Sequence, residues 1–204
     1  QEKINLDNKL YFFKTHNANI KIDTYPFTNN KNTAGTIYIV RDPRNIINSL
    51  GNHFDLSQEE ARNFLFSKEI LSEKNKDNNK ILTLVGTWEE HYNSWTMNND
   101  NLLLIKYEDL INNIEVEVLK IVKFILKYAK ISINNEKIRN VIETTNFKSL
   151  RKMEDMGQFK EYRNKDFKFF NKGPDNKWED NLNKNIREEI ENKYKISMKK
   201  LGYL

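Results

Sequence analysis

Two arginines flank the exit of a short apolar run, and their placement is the first chemical signal in the chain. Arg41 and Arg44 follow Thr36-Ile37-Tyr38-Ile39-Val40, a β-branched and aromatic stretch whose nearly continuous apolar character predicts a strand packed on both faces. Asp42 stands where a helix N-cap belongs. Pro43 takes the first helical position, where its missing N–H costs nothing. Ile46, Ile47 and Leu50 recur at helical spacing, Asn48 and Ser49 ride on the same turns, and the helix is expected to end near Gly51. A guanidinium at the C-terminal end of a strand, beside free helix N–H groups, suits an anion. The same residues also suit a solvated strand-turn-helix unit with surface arginines, and the segment alone does not choose.

Other polar clusters also close apolar runs. Leu10-Tyr11-Phe12-Phe13 reads as a buried strand ending in Lys14-Thr15-His16, and Leu102 to Lys106 as a second clear strand ending in Tyr107-Glu108-Asp109. Residues 17–32 look irregular. Ser57-Gln58-Glu59-Glu60 is a capping box that should open a helix running to about Leu71, with a polar surface loop from Glu73 to Lys80. Ile81 to Trp95 is expected to be helical, with Leu84, Trp88, His91 and Trp95 on one face and Gly86 weakening it slightly. His91 on that face reads as a satisfied core histidine. Ile114 to Lys127 is amphipathic, Asn134 or Asn135 caps a short helix to about Glu143, and residues 144–147 begin a turn. Arg151 to Asp175 reads as a long ordered loop, and a final helix runs from about Leu182 or Asn185 to Lys200.

Strands alternating with helices argue for an α/β domain with a parallel sheet, although three strands are few. No Gly-rich loop followed by Lys and Ser/Thr occurs in the chain. Either the fold is of another kind or a first βα unit lies before Gln1.

The 204 residues suffice for one domain with a core, and 12 Phe, 9 Tyr and 3 Trp supply bulk for it despite a hydrophobic fraction of 38%. A net charge of +5 favours an anionic partner. The lysines are scattered and form no basic block, which argues against nucleic acid and for a polyanionic small molecule. There is no cysteine, so disulfides and cysteine-ligated metals are excluded. Neither a signal peptide nor a membrane-length apolar run occurs, and the expected location is cytoplasmic.

Taken in order, these segments resemble the cytosolic-type sulfotransferase family, over roughly residues 10 to 182. That family moves a sulfuryl group from 3'-phosphoadenosine 5'-phosphosulfate (PAPS) to an acceptor hydroxyl or amine and releases 3'-phosphoadenosine 5'-phosphate (PAP). The resemblance implies catalytic roles for His16, as general base on the acceptor, and for Lys14, as a positive charge beside the leaving phosphate. It implies that Arg41 and Ser49 hold the donor's 3'-phosphate, and that Tyr107, Thr145 and Phe147 contact the adenine. Gly86-Thr87-Trp88-Glu89-Glu90-His91-Tyr92-Asn93-Ser94-Trp95 resembles the family's G-S/T-W-x-x-H-x-x-x-W helix, a packing element. Asn171, Lys172 and Gly173 resemble the late RKG loop over the 3'-phosphate, with Asn171 in the arginine position and Asn176-Lys177 replacing the Gly-Asp before Trp178.

The family segment resembling T-Y-P-K-S-G-T-T-W, which wraps the 5'-phosphosulfate, has no match. The expectation is a single sulfotransferase-like domain over residues 1–204, a three-layer α/β fold with a mostly parallel sheet of the P-loop nucleotide-binding kind whose first βα unit is missing. PAPS is the expected donor, PAP the product, and a small-molecule or carbohydrate the acceptor, with no metal. The alternatives are another nucleotide-dependent transferase, such as a small-molecule kinase, and a non-catalytic nucleotide- or polyanion-binding domain. A Walker A loop upstream would mark the first, and PAP binding without transfer the second.

Overall fold

The two apolar runs that end at Arg41 and Tyr107 lie side by side. The computed structural model describes residues 9–68, 70–74, 80–97, 99–130, 132–159 and 168–204. Two short strands, β1 (Lys21–Ile22) and β2 (Tyr25–Pro26), precede β3 (Thr36–Val40). Helices α1 (Pro43–Phe54) and α2 (Gln58–Phe66) lead to β4 (Ile70–Lys74) and β5 (Lys80–Leu84), followed by α3 (Trp88–Thr96), β6 (Leu102–Lys106), α4 (Tyr107–Asn112), α5 (Ile114–Ile125), α6 (Asn135–Thr145) and α7 (Phe147–Asp155). A 3-10 turn at Gly173–Asp175 comes before α8 (Trp178–Asn181), α9 (Lys184–Lys193) and α10 (Lys195–Leu201). Among the described residues the strands form three ladders: β3 with β6 in parallel, β1 with β2 and β4 with β5 antiparallel.

Local caps set the helix starts. The Asp42 carboxylate accepts from the Arg44 amide with Pro43 in the first turn, and the Ser57–Glu60 box is complete. Gly51 does not stop α1, which runs on to Phe54 and closes at Asp55 in the left-handed region. The glycine serves the return of the chain instead, since a Cβ there would lie 2.9 Å from the Leu56 carbonyl oxygen.

Several expectations change. The sheet is not mostly parallel, since two of the three ladders among the described residues are antiparallel. The second helix stops at Phe66, and Ile70–Lys74 is a strand where a helix end and a polar loop were expected. Residues 9–16 form neither helix nor strand, and Phe12 and Phe13 are 67% and 71% exposed. Aromatic β propensity is decided by what packs on the segment, and this run lies outside the core. Residues 81–95 are not one helix. Ile81 to Leu84 belong to β5, Gly86 turns at φ +68, and Thr87 restarts the chain as N-cap of α3 with its own capping box to Glu90. Residues 147–155 are helical, and the C-terminal helix is broken at Tyr194, whose buried hydroxyl donates to the Leu65 carbonyl. Residues 17–32 contain the small β1–β2 hairpin.

The core joins β3 to α1, α2, α3, α9 and α10 through Val40, Ile47, Ala61, Leu65, Trp88, Tyr92, Ile186, Ile190, Tyr194 and Met198. Burying each of the larger aliphatic side chains among them contributes about 1.5–3 kcal/mol. No helix among the described residues is long and apolar enough to cross a membrane.

Candidate functional site

Strand register brings the first pair of site residues together. β3 and β6 run in register from Thr36↔Leu102 to Val40↔Lys106, so the next residues, Arg41 and Tyr107, leave the ladder as neighbours. The Arg41 guanidinium lies over the Tyr107 ring, 4.4 Å from its centroid. Ser49 comes to the same place along α1, and Arg41 Nη1 donates to its Oγ at 2.9 Å. Ser49 Oγ also accepts from Asn176 Nδ2 at 3.1 Å, while its own proton has only a long 3.5 Å contact to the Asn45 carbonyl.

Burial lowers the Arg41 pKa, opposed by Tyr107, Glu108, Asp42 and Tyr203, and the guanidinium remains charged near neutrality. Its Nε is buried without a hydrogen-bond partner among the described residues. A partly desolvated cation with an unused donor, beside a hydroxyl whose proton is weakly held, can receive an anionic oxygen.

The turn below is braced from both sides. Trp88 Nε1 of α3 donates to the Arg41 carbonyl at 3.1 Å, and the Asp42 amide donates to Glu108 Oε1 at 3.1 Å. Glu108 Oε2 accepts from the Tyr203 hydroxyl at 2.9 Å, and burial together with Glu108 pushes the Tyr203 pKa up.

Arg44 is not solvated. It is 6% exposed, pairs with Asp42 at 2.7 Å and with Glu191 at 2.7 Å, donates to the Tyr203 carbonyl, and lies over the Trp178 ring. The N-cap carboxylate that starts α1 also holds this side chain, so Arg44 is committed to structure.

One polar stripe of α1, Asn45, Asn48, Ser49 and Asn52, carries the late loop. Asn176 Nδ2 donates to the Asn45 carbonyl at 2.9 Å, the Trp178 amide donates to Asn45 Oδ1, and Asn48 Nδ2 donates to Asn176 and Asn181. Asn171 Nδ2 donates to Asn52 Oδ1 at 2.6 Å, and the Asn171 carbonyl accepts from Arg151. The Glu154 carboxylate, 3% exposed, accepts the amides of Phe169 and Phe170 at the loop's entry.

Gly173, at φ +53, packs directly on Phe147: a Cβ there would meet the ring at 2.1 Å. Thus Phe147, Asn171 and Gly173 belong to one docked assembly. Lys172 is exposed on it, and its carbonyl accepts from the Asp175 amide. Thr145 is exposed, and its hydroxyl donates to the Val141 carbonyl.

Lys14 and His16 have exposed side chains, but the backbone after them is tightly held. Trp95 Nε1 donates to the Asn17 carbonyl at 3.0 Å, the Asn19 amide donates to Ser94 Oγ at 3.0 Å, and the Ala18 amide donates to the Leu84 carbonyl at 2.7 Å. His91 Nε2 lies 3.3 Å from the His16 carbonyl, and its Nδ1 lies 2.8 Å from the Tyr38 hydroxyl. The described contacts do not join the His16 side chain to the Arg41 cluster. The two sets are linked through α3, which holds the backbone of both.

The Asn45–Asn52 stripe and the Trp88 bracket went unread at the sequence level. The first could have been found, because its residues repeat at helical spacing opposite Ile46, Ile47 and Leu50. Among the described residues no group of three or more His, Asp or Glu side chains could hold a metal ion.

Comparison with known proteins follows the same lines. The family described as the sulfotransferase domain has a sequence model that matches residues 1–202. A search of curated proteins returned no match. Among solved structures, mouse sulfotransferase SULT7A1 complexed with PAP is similar with a TM-score of 0.60 at 18% identity, over 81% of this chain and 58% of that one. Retinol dehydratase in a complex with retinol and PAP is similar with a TM-score of 0.58 at 19% identity, over 81% of this chain and 48% of that one. The chain therefore spans about half the length of these two structures, and at such identities the likeness is one of fold.

Proposed function

Because the chain belongs to the sulfotransferase domain family, we propose that it carries the acceptor-activating and 3'-phosphate-binding residues of a PAPS-dependent sulfotransferase. The observation that supports this best is the Arg41 guanidinium held between Ser49 Oγ at 2.9 Å and the Tyr107 ring at 4.4 Å, with Nε left over. An anionic oxygen and a planar base, joined through a ribose, are what such neighbours accommodate. Arg41 and Ser49 bind the 3'-phosphate, with Lys172 and the Gly173 backbone closing over it. Tyr107, Phe147 and Thr145 border the adenine.

His16 takes the proton of the acceptor hydroxyl as its oxygen forms a bond to sulfur. The bond from sulfur to the bridging phosphate oxygen breaks, the electron pair stays on that oxygen, and the Lys14 ammonium compensates the charge. General-base assistance of this kind is worth about 10²–10⁴-fold, and the remainder comes from positioning and charge compensation. The acceptor is a small molecule or carbohydrate.

Asn171 favours a second reading. Its amide is committed to Asn52 and brings no charge, which suits a domain that binds the nucleotide without transferring sulfate.

Calorimetric titration of the protein in its full natural length with PAP and with AMP tests the binding half. PAP is expected to bind more tightly than AMP, and Arg41→Ala to weaken PAP about tenfold or more, as loss of a charged hydrogen bond of about 1.5–3 kcal/mol requires. Equal affinity for the two nucleotides, or an unaffected variant, overturns the assignment.

A further inference from the structure

We propose that His91 is a positioning residue that sets the direction of the His16 side chain through the His16 backbone. The proposal rests on the reading of His16 as the acceptor's base. The carbonyl of His16 can only accept a hydrogen bond, so His91 Nε2, 3.3 Å away, carries the proton. Burial holds His91 below the usual imidazole range, and in the neutral ring Nδ1 is then the acceptor of the Tyr38 hydroxyl at 2.8 Å. A continuous relay runs from β3 through the Tyr38 hydroxyl and the His91 ring to the backbone of residue 16.

The relay matters because residues 9–16 lie in neither helix nor strand, so no ladder of regular structure fixes this segment. Its place is taken by one face of α3. His91, Ser94 and Trp95, at helical spacing, reach the His16 carbonyl, the Asn19 amide and the Asn17 carbonyl in turn. From the other side, the Leu84 carbonyl accepts the Ala18 amide, and the Leu84 amide donates to Asn17 Oδ1 at 2.9 Å. Each of these holds is on the segment's backbone or on Asn17, and the His16 imidazole itself stays exposed. His91 makes the hold nearest to that imidazole. Trp88 of the same helix holds the Arg41 carbonyl, so displacement of His16 relative to the phosphate clamp is resisted by a single rigid element. Misplacing a catalytic group by about 1 Å can cost as much as 10²-fold in rate.

Two substitutions separate the ends of the relay. His91→Asn keeps an amide oxygen near the Nδ1 position, facing Tyr38, but cannot reach residue 16. His91→Gln places an amide donor near the Nε2 position. With the protein in its full natural length, His91→Asn is expected to lower kcat about tenfold with the KM for PAPS and the affinity for PAP unchanged, and His91→Gln to restore most of it. In the His16→Ala background the same Asn substitution should leave the residual rate where His16→Ala put it, because both act through one group. A rate loss of equal size in both backgrounds, or none in either, overturns the proposal. If the unsubstituted protein transfers no sulfate, the catalytic reading of His16 has failed. The positional claim is then decided by the His16 imidazole order parameter from NMR relaxation, which must fall in His91→Asn and recover in His91→Gln. An order parameter indifferent to both substitutions overturns it.

Discussion

Arg41 and Arg44 leave the same turn and meet opposite fates, and their partners decide which of the two charges is paired with carboxylates. Arg44 has two carboxylates and a backbone carbonyl, and its charge is neutralised within the fold. Arg41 has a hydroxyl and a ring, neither of which neutralises it. The pairing of Arg41 with Ser49 was an expectation from the family resemblance, and the strand exit followed by two helical turns brings the two side chains together. The role of Arg44 was not legible, because Glu191 lies 147 residues away in the chain. His91 shows the same division: its shared face with Trp88 and Trp95 marked a satisfied core group, while its partners on β3 and at residue 16 are tertiary. Its depressed pKa has a measurable consequence. The unfolded chain protonates this histidine near its ordinary value of about 6.5, before the folded protein does, so the unfolded state binds more protons and stability falls as pH drops below that value. Urea unfolding at about pH 7 and about pH 5 should therefore show a smaller acid loss in His91→Asn than in the unsubstituted protein. An identical loss in both would mean that His91 does not contribute to acid sensitivity.

At the scale of elements, α1 and α3 do most of the positioning. α1 starts at a carboxylate with two duties, since Asp42 caps the helix and neutralises buried Arg44. Asp42→Ala removes the cap and leaves that guanidinium with Glu191 as its one remaining carboxylate partner among the described residues, so a loss of about 3–5 kcal/mol is expected, read as a lower urea midpoint with unchanged slope. A loss below about 1 kcal/mol, the value of a cap alone, would show that the pair contributes nothing. The late loop depends on the opposite face of the same helix and on the contact between Gly173 and Phe147. Gly173→Ala adds a Cβ into the ring at a left-handed backbone, with strain of about 1–3 kcal/mol. PAP should bind several-fold more weakly in that variant and the urea midpoint should fall with it, as titration and unfolding together would report; an unchanged affinity and midpoint would contradict the role given to this contact. The Asp42 cap and the Ser57–Glu60 box were readable because they are written within four residues, while the Thr87–Glu90 box was hidden inside an apolar period read as one helix. The strand at residues 80–84 was not readable, because its apolar residues also fit a helical period, and only the left-handed turn at Gly86 separates the two. The aromatic run at residues 10–13 misled in the other direction, since propensity without packing does not make a strand.

Across the whole molecule, two chemical sets far apart in sequence are held by one scaffold. The Arg41–Ser49–Tyr107 cluster stands at the shared end of the parallel pair, and Lys14 and His16 precede a segment that α3 fastens. The α/β class and the parallel pairing of the two clear strands followed from the alternation of apolar runs and amphipathic helices. The antiparallel ladders did not, because strand partnership depends on which edges meet and not on either strand's own pattern. The core that unites α1, α2, α3, α9 and α10 makes the scaffold rigid enough for angstrom-scale placement to matter. The direct test of the account is transfer of labelled sulfate from PAPS by the protein in its full natural length to a panel of phenol, alcohol, amine and sugar acceptors, beside His16→Ala. The account predicts transfer to at least one acceptor class and a rate about 10²–10⁴-fold lower in the variant, with PAP affinity unchanged. Full activity in His16→Ala, or PAP binding without transfer to any acceptor, would contradict it.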